Sequence, residues 1–97
     1  MKFEINENKL EKVIFKYLDN KNFVIRETPL EYIFLTLDDK YPPIKIRKNN
    51  MICLIYFKLV KEISSFFSIS EIDSKNFISR YVKNKFNLKI SVSYIDG

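Results

Sequence analysis

Hydrophobic and polar positions change period several times along this chain of 97 residues. Leu10, Val13, Ile14, Tyr17 and Leu18 recur at the i, i+3, i+4, i+7 and i+8 positions of one helical stripe, which predicts a helix over residues 8–19. Asn6 or Asn8 is placed to cap it, Asn20-Lys21-Asn22 to end it, and Lys9, Lys12 and Lys16 fall on its polar side. Phe23–Arg26 then reads as a short strand, closed by Thr28-Pro29 because proline offers no N–H to a ladder. Tyr32–Leu37 reads as a second strand, apolar at every side-chain position but one and therefore expected to be buried on both faces. After a loop at Asp38–Pro43, Ile44-Lys45-Ile46-Arg47 alternates as a half-buried strand does. Asn49-Asn50 fits a hairpin turn, and the apolar run Met51–Tyr56 returns as a central strand.

From there the period lengthens. Leu59, Val60, Ile63, Phe66 and Phe67 predict a helix over about 57–67, and Ser68-Ile69-Ser70 breaks it. Ser70-Glu71-Ile72-Asp73 has the form of a capped start with acids in the first turn, and Phe77, Ile78, Tyr81 and Val82 carry a third helix to near Phe86. Leu88, Ile90, Val92 and Tyr94 alternate with Lys89, Ser91 and Ser93 as a last strand. The reading is a single α+β domain over residues 1–97 in the order α-β-β-β-β-α-α-β. A mostly antiparallel sheet of four to five strands packs against the helices, with Leu10, Ile14, Leu35, Leu54, Ile63, Phe67, Phe77, Tyr81 and Ile90 in the core. Gly97 is the sole glycine, so the internal turns must use Asn, Asp, Ser or Pro.

Composition bears this out as a folding chain: 46% of the residues are hydrophobic, too many for a disordered segment. The start, Met1–Glu7, is charged throughout, so no secretion signal is expected, and no apolar run reaches the ~20 residues of a bilayer span. The net charge of +5 is uneven. Residues 1–43 carry seven Lys or Arg against eight Asp or Glu, and residues 44–97 carry ten against four. A basic second half suits an acidic partner or a phosphate backbone. Lys, Asn and Ile also have AT-rich codons, so a low-GC genome accounts for the same excess.

The stretch Phe57-Lys58-Leu59-Val60-Lys61-Glu62-Ile63-Ser64-Ser65-Phe66-Phe67, followed by Ser70-Glu71-Ile72 and Phe77-Ile78-Ser79-Arg80-Tyr81-Val82, carries a resemblance, together with Asn8–Ile14 near the start. These segments resemble small proteins without assigned activity encoded by tailed bacteriophages with AT-rich genomes. The resemblance implies a phage accessory protein acting in the cytoplasm of a bacterial host or packed in a virion.

With no histidine, His-based catalytic triads and His-ligated zinc are excluded, and the lone Cys53, inside an apolar run, reads as a small buried hydrophobe. No glycine-rich phosphate loop exists, and no cofactor is expected. Asp38-Asp39-Lys40, with Glu27 and Glu31 upstream, is a candidate Mg²⁺ site of the restriction-nuclease kind, although Asp-Asp-Lys is also ordinary turn chemistry. Two basic surfaces are candidates for binding. If Ile33, Leu35, Leu37, Ile44 and Ile46 face the core, then Tyr32, Phe34, Lys45, Arg47 and Lys89 share the opposite face as a platform for stacking bases and holding phosphates, unless a helix covers the two aromatics. The second surface is the third helix, with Lys75, Arg80, Lys83 and Lys85, which reads either as part of a helix-turn-helix or as a solvated face. The expectation from the whole chain is a small non-enzymatic protein that binds a host or phage protein and no membrane, with nucleic-acid binding as the alternative.

Overall fold

The computed structural model describes residues 7–37 and 40–97. Its elements run α1 (Glu7–Asp19), β1 (Val24–Glu27), β2 (Glu31–Leu35), β3 (Ile44–Arg47), β4 (Ile52–Tyr56), α2 (Phe57–Phe67), α3 (Glu71–Phe86) and β5 (Val92–Asp96). The element order is the expected one. The strands form one sheet in the order β1-β2-β3-β4-β5. β1 to β4 form an antiparallel meander, and β5 lies parallel to β4. The parallel pair follows from the connection, because only a crossover such as the α2–α3 pair can return the chain to run in the same direction.

Local chemistry sets each turn. Thr28 closes the β1–β2 hairpin: its Oγ1 accepts from the Glu31 N–H at 2.9 Å, and its own N–H donates to the Glu31 carbonyl at 2.8 Å. At the β3–β4 turn the left-handed residue is Met51 (φ 53°) rather than Asn49 or Asn50, while Asn50 Oδ1 accepts from the Ile52 N–H at 3.2 Å. Ser68 ends α2 in the left-handed region (φ 54°), and Ser70 opens α3 by accepting from the Asp73 N–H at 3.0 Å. Asn87 ends α3 in the same left-handed way (φ 53°). Asn22, after α1, completes the set (φ 54°), so three polar residues and one methionine do what glycine does elsewhere. Asn8 lies within α1, and Asn6 lies outside the described residues.

The core lies between the sheet and the helices. Phe34, Ile44, Ile46, Cys53 and Ile55 supply it from the strands; Ile14 and Leu18 come from α1, Leu59, Val60 and Ile63 from α2, and Phe77, Ile78, Tyr81 and Val82 from α3. Of the expected core, Ile14, Ile63, Phe77, Tyr81 and Ile90 are buried, and Leu10 and Phe67 pack partly buried against them. Leu35 and Leu54 do not belong to it. The stripe of α1 is also rotated from the expected one: Val13 is 55% exposed, and Phe15 packs edge-on against Tyr81 at 5.4 Å instead. Two side-chain networks fix α1 in place. The Tyr17 hydroxyl donates to Glu62 at 2.5 Å, with Lys21 on the same carboxylate at 2.6 Å. The Tyr81 hydroxyl donates to Asp19 at 2.7 Å, with Lys85 at 3.2 Å.

The last strand departs from its sequence pattern. Ile90 is buried, but it precedes β5, where Ser93 takes the inward position while Val92 and Tyr94 are exposed. The alternation slips in the Asn87–Ser91 segment, which is tied to the β3–β4 turn by the Ser91 N–H donating to the Met51 carbonyl at 3.0 Å.

Candidate binding face on the open side of the sheet

The register of the strands decides which side chains share a face. Phe34 stands opposite Ile44 and Tyr32 opposite Ile46, so both aromatics point to the side that holds the core. Phe34 is fully buried, edge-on to Phe86 at 4.8 Å, and Tyr32 is half-buried against the same cluster. The candidate platform of Tyr32 and Phe34 with Lys45 and Arg47 therefore does not exist, and the alternative holds: the two aromatics lie on the side that the helices cover. The phase of that platform was inverted: Ile33 pairs with Lys45 and Glu31 with Arg47, which puts Ile33 and Leu35 on the cationic side. Leu37 is exposed beyond the end of β2.

The face that the platform was meant to occupy is built from other residues. Following the register across the strands, one row reads Arg26, Ile33, Lys45, Leu54 and Tyr94. A second reads Glu31, Arg47, Ile52 and Val92. At the other end of the strands Val24 pairs with Leu35 and Tyr56 with Asp96. None of the apolar members of these rows packs against the core cluster, and no helix among the described residues covers them. Tyr94 is 53% exposed and Val24 63%, while Ile33, Leu35, Ile52, Leu54 and Tyr56 are half-buried. The expectation that β2 is buried on both sides is thus corrected: β2 and β4 each bury one side, because the described helices lie on the same face.

Depressions border this face at both strand ends. One of about 210 Å³ is lined by Tyr41, Pro42, Lys45, Leu54, Tyr56 and Asp96, with the Tyr41 and Tyr56 rings 6.0 Å apart. The other, about 590 Å³, lies between the two hairpin ends and is lined by Pro29, Leu30, Glu31, Arg47, Lys48 and Asn49. Their walls offer an apolar side, a cation and a carboxylate.

The remaining candidate cations lie elsewhere. Lys89 is exposed in the segment before β5, outside the strand ladder. Lys75, Arg80, Lys83 and Lys85 are on α3, behind the opposite face. Arg80 pairs with Glu11 at 3.0 Å and lies over the Phe77 ring at 4.7 Å, and Lys85 pairs with Asp19, so these two cations tie α3 to α1. Lys83 is exposed and Lys75 half-buried. The structure therefore brings Lys45 and Arg47 together and separates them from the α3 group.

Asp38 and Asp39 lie outside the described residues. Glu27 is held by Lys48 at 2.5 Å. Among the described residues no group of three or more Cys, Asp or Glu is placed to hold a metal ion. Cys53 is fully buried; burial pushes its thiol up to about 11, which keeps it protonated at neutral pH and inert as a nucleophile. Ser79 and Ser93 share a buried hydrogen bond of 2.7 Å beside it. Among the described residues no helix is long and apolar enough to cross a membrane.

Sequence reasoning missed Arg26, Ile33, Ile52, Leu54, Tyr56, Val92 and Tyr94 as a group. The signal was present only in part: the alternation of Ile44-Lys45-Ile46-Arg47 fixes the outward side of β3, but the phase of its neighbours needs the pairing. Comparison with protein-family models, with curated proteins and with solved structures gave no match.

Proposed function

We propose that this chain is a small non-catalytic binding protein, a phage accessory protein acting in the host cytoplasm or in the virion, and that it binds another protein through the open face of its sheet. The observation that carries this reading is the continuous, uncovered face of Ile33, Leu35, Ile52, Leu54, Val92 and Tyr94. A sheet face of this composition is ordinarily covered, because each exposed aliphatic forgoes roughly 25 cal/mol for every Å² left in water. The phage context rests on the sequence resemblance alone.

Leu54→Asp tests the docking face. The charge projects to solvent, so the domain should retain its circular dichroism and a melting temperature close to that of the parent. Affinity capture from a bacterial lysate or from purified virions should recover a specific partner with the parent chain and lose it with Leu54→Asp. A partner recovered equally by both chains would overturn the assignment of the face.

A second reading has one observation in its favour: Tyr94 and Tyr56 stand on the same face as Lys45 and Arg47, the kind of mixture that stacks bases and holds phosphates. It is the weaker of the two. Glu31 and Asp96 share that face, aliphatic residues outnumber aromatic ones on it, and the cations of α3 lie behind the other side.

A further inference from the structure

We infer that the occupant of the open face is an acidic amphipathic helix of another protein, seated along β4 and β5. This inference rests on the protein-binding reading above and adds the shape and charge of the partner. Of the outward side chains of these two strands, Ile52, Leu54, Tyr56, Val92 and Tyr94 form an apolar strip, and the one charge, Asp96, stands at its end beside Tyr56. Two adjacent strands are about 4.8 Å apart, and with their side chains they match the ~10 Å width of one helix. Five strand residues extend for about 16 Å, or three helical turns of ~5.4 Å each. The strip is therefore the footprint of one short helix.

Charge fixes the kind of helix. Lys45 stands beside Leu54, and Arg47 beside Ile52, both on β3 and so both along one long side of the strip. Residues two apart in a strand are separated by ~6.8 Å, close to the ~6 Å rise between positions i and i+4 of a helix. Two acids at that spacing on one flank of an apolar stripe meet both cations at once. The cleft of about 210 Å³ between Tyr41 and Tyr56 lies at one end of the strip and accepts a large apolar side chain as an anchor. At the same end Asp96 stands on the far edge, which favours a neutral or basic residue there and so orients the helix.

The same cations argue against a second copy of this chain as the occupant. β3 is the middle strand of the sheet. A face-to-face pairing with a two-fold axis through the middle strand sets Lys45 opposite its own copy, so the interface would bury like charges at its centre.

The test uses two acetylated, amidated helical peptides with the same leucine stripe. One carries Glu at an i, i+4 pair on one flank, and the other carries Lys at those two positions. Each is titrated into the intact protein while backbone amide shifts are followed by NMR. The Glu peptide should move the amides of Lys45, Leu54 and Tyr94 and bind about tenfold more tightly than the Lys peptide, as expected for two ion pairs set against two repulsions. The K45E/R47E double variant, whose changes project from the open face, should reverse the order. Equal affinity of the two peptides for the parent chain would overturn the inference without need of any variant. So would a short single-stranded DNA that shifts these amides while the peptides do not, or a dimer in sedimentation that Leu54→Asp dissociates. Loss of lysate capture in Leu54→Asp alongside no preference between the peptides would keep the docking face and reject this occupant. Unchanged capture in Leu54→Asp would instead reject the face itself.

Discussion

On β2, Phe34 is fully buried, while Ile33 and Leu35, on either side of it and just as apolar, are half-exposed. The same division continues on β4, where Cys53 and Ile55 are buried between Ile52, Leu54 and Tyr56, which are not. Side-chain chemistry does not separate the two sets. Among the described residues the inner face meets three helices and the outer face meets none. The inner set therefore works for stability, and the outer set is free to work for recognition.

Paired substitutions at neighbouring positions give the largest expected contrast. Phe34→Ala opens a cavity among Phe23, Phe86 and Ile44 and should cost about 3–5 kcal/mol in urea unfolding. Leu35→Ala, one residue on, should cost under about 1 kcal/mol, in the range of surface changes. Equal losses at the two positions would mean that the outer face is covered in solution and would break the comparison.

A smaller effect is expected at Ser79 and Ser93, the polar pair buried on the inner face. Ser93→Ala leaves the Ser79 hydroxyl facing the core with this partner gone, at a cost of about 1–3 kcal/mol, and Ser79→Ala should cost less because Ser93 keeps its hydrogen bond with Cys53. The double change S79A/S93A should cost less than the sum of the singles, because it removes both hydroxyls together. Additive losses in a double-mutant cycle would show that each hydroxyl has another partner.

The smallest expected effect lies at the α1–α3 contact. The Tyr81 hydroxyl, and then Lys85, favour the ionised form of Asp19 and hold its carboxyl below the usual range. A carboxylate with a depressed folded-state pKa contributes stability above its unfolded value near pH 4, and loses it as the pH falls through the folded value. Asp19→Asn keeps an acceptor for Tyr81 and removes the charge. Its stability should thus lie slightly below that of the parent at pH 7, with the gap closing under acid conditions. A gap that persists unchanged to pH 2 would assign it to packing.

How much of this was legible beforehand differs by element. The spacing of Leu59, Val60 and Ile63 placed α2, and Ser70 with Asp73 marked the start of α3, because capping chemistry is local. Thr28-Pro29 marked the end of β1, because proline offers no N–H to the ladder. The candidate site was read less well. Lys45 and Arg47 were placed on the outward side by their own alternation, but Tyr32 and Phe34 were put there with them. A strand apolar at successive positions carries no phase, so nothing within Tyr32–Leu35 says which side meets the helices. In α1, Val13 and Phe15 lie 200° apart around the helix axis at ~100° per residue, and only the position of Tyr81 decided that Phe15 faces inward.

The sequence by itself determined the number, kind and order of elements, the use of residues other than glycine in the internal turns, and the absence of histidine chemistry. These depend on residues within a few positions of one another. The tertiary structure alone decided that β5 runs parallel beside β4, that all three helices gather on one face, and that Lys45, Leu54 and Tyr94 line up across three strands of the other. A row of that kind joins residues from opposite ends of the chain, and its phase is set by hydrogen-bonded register. No pattern within a single segment encodes it.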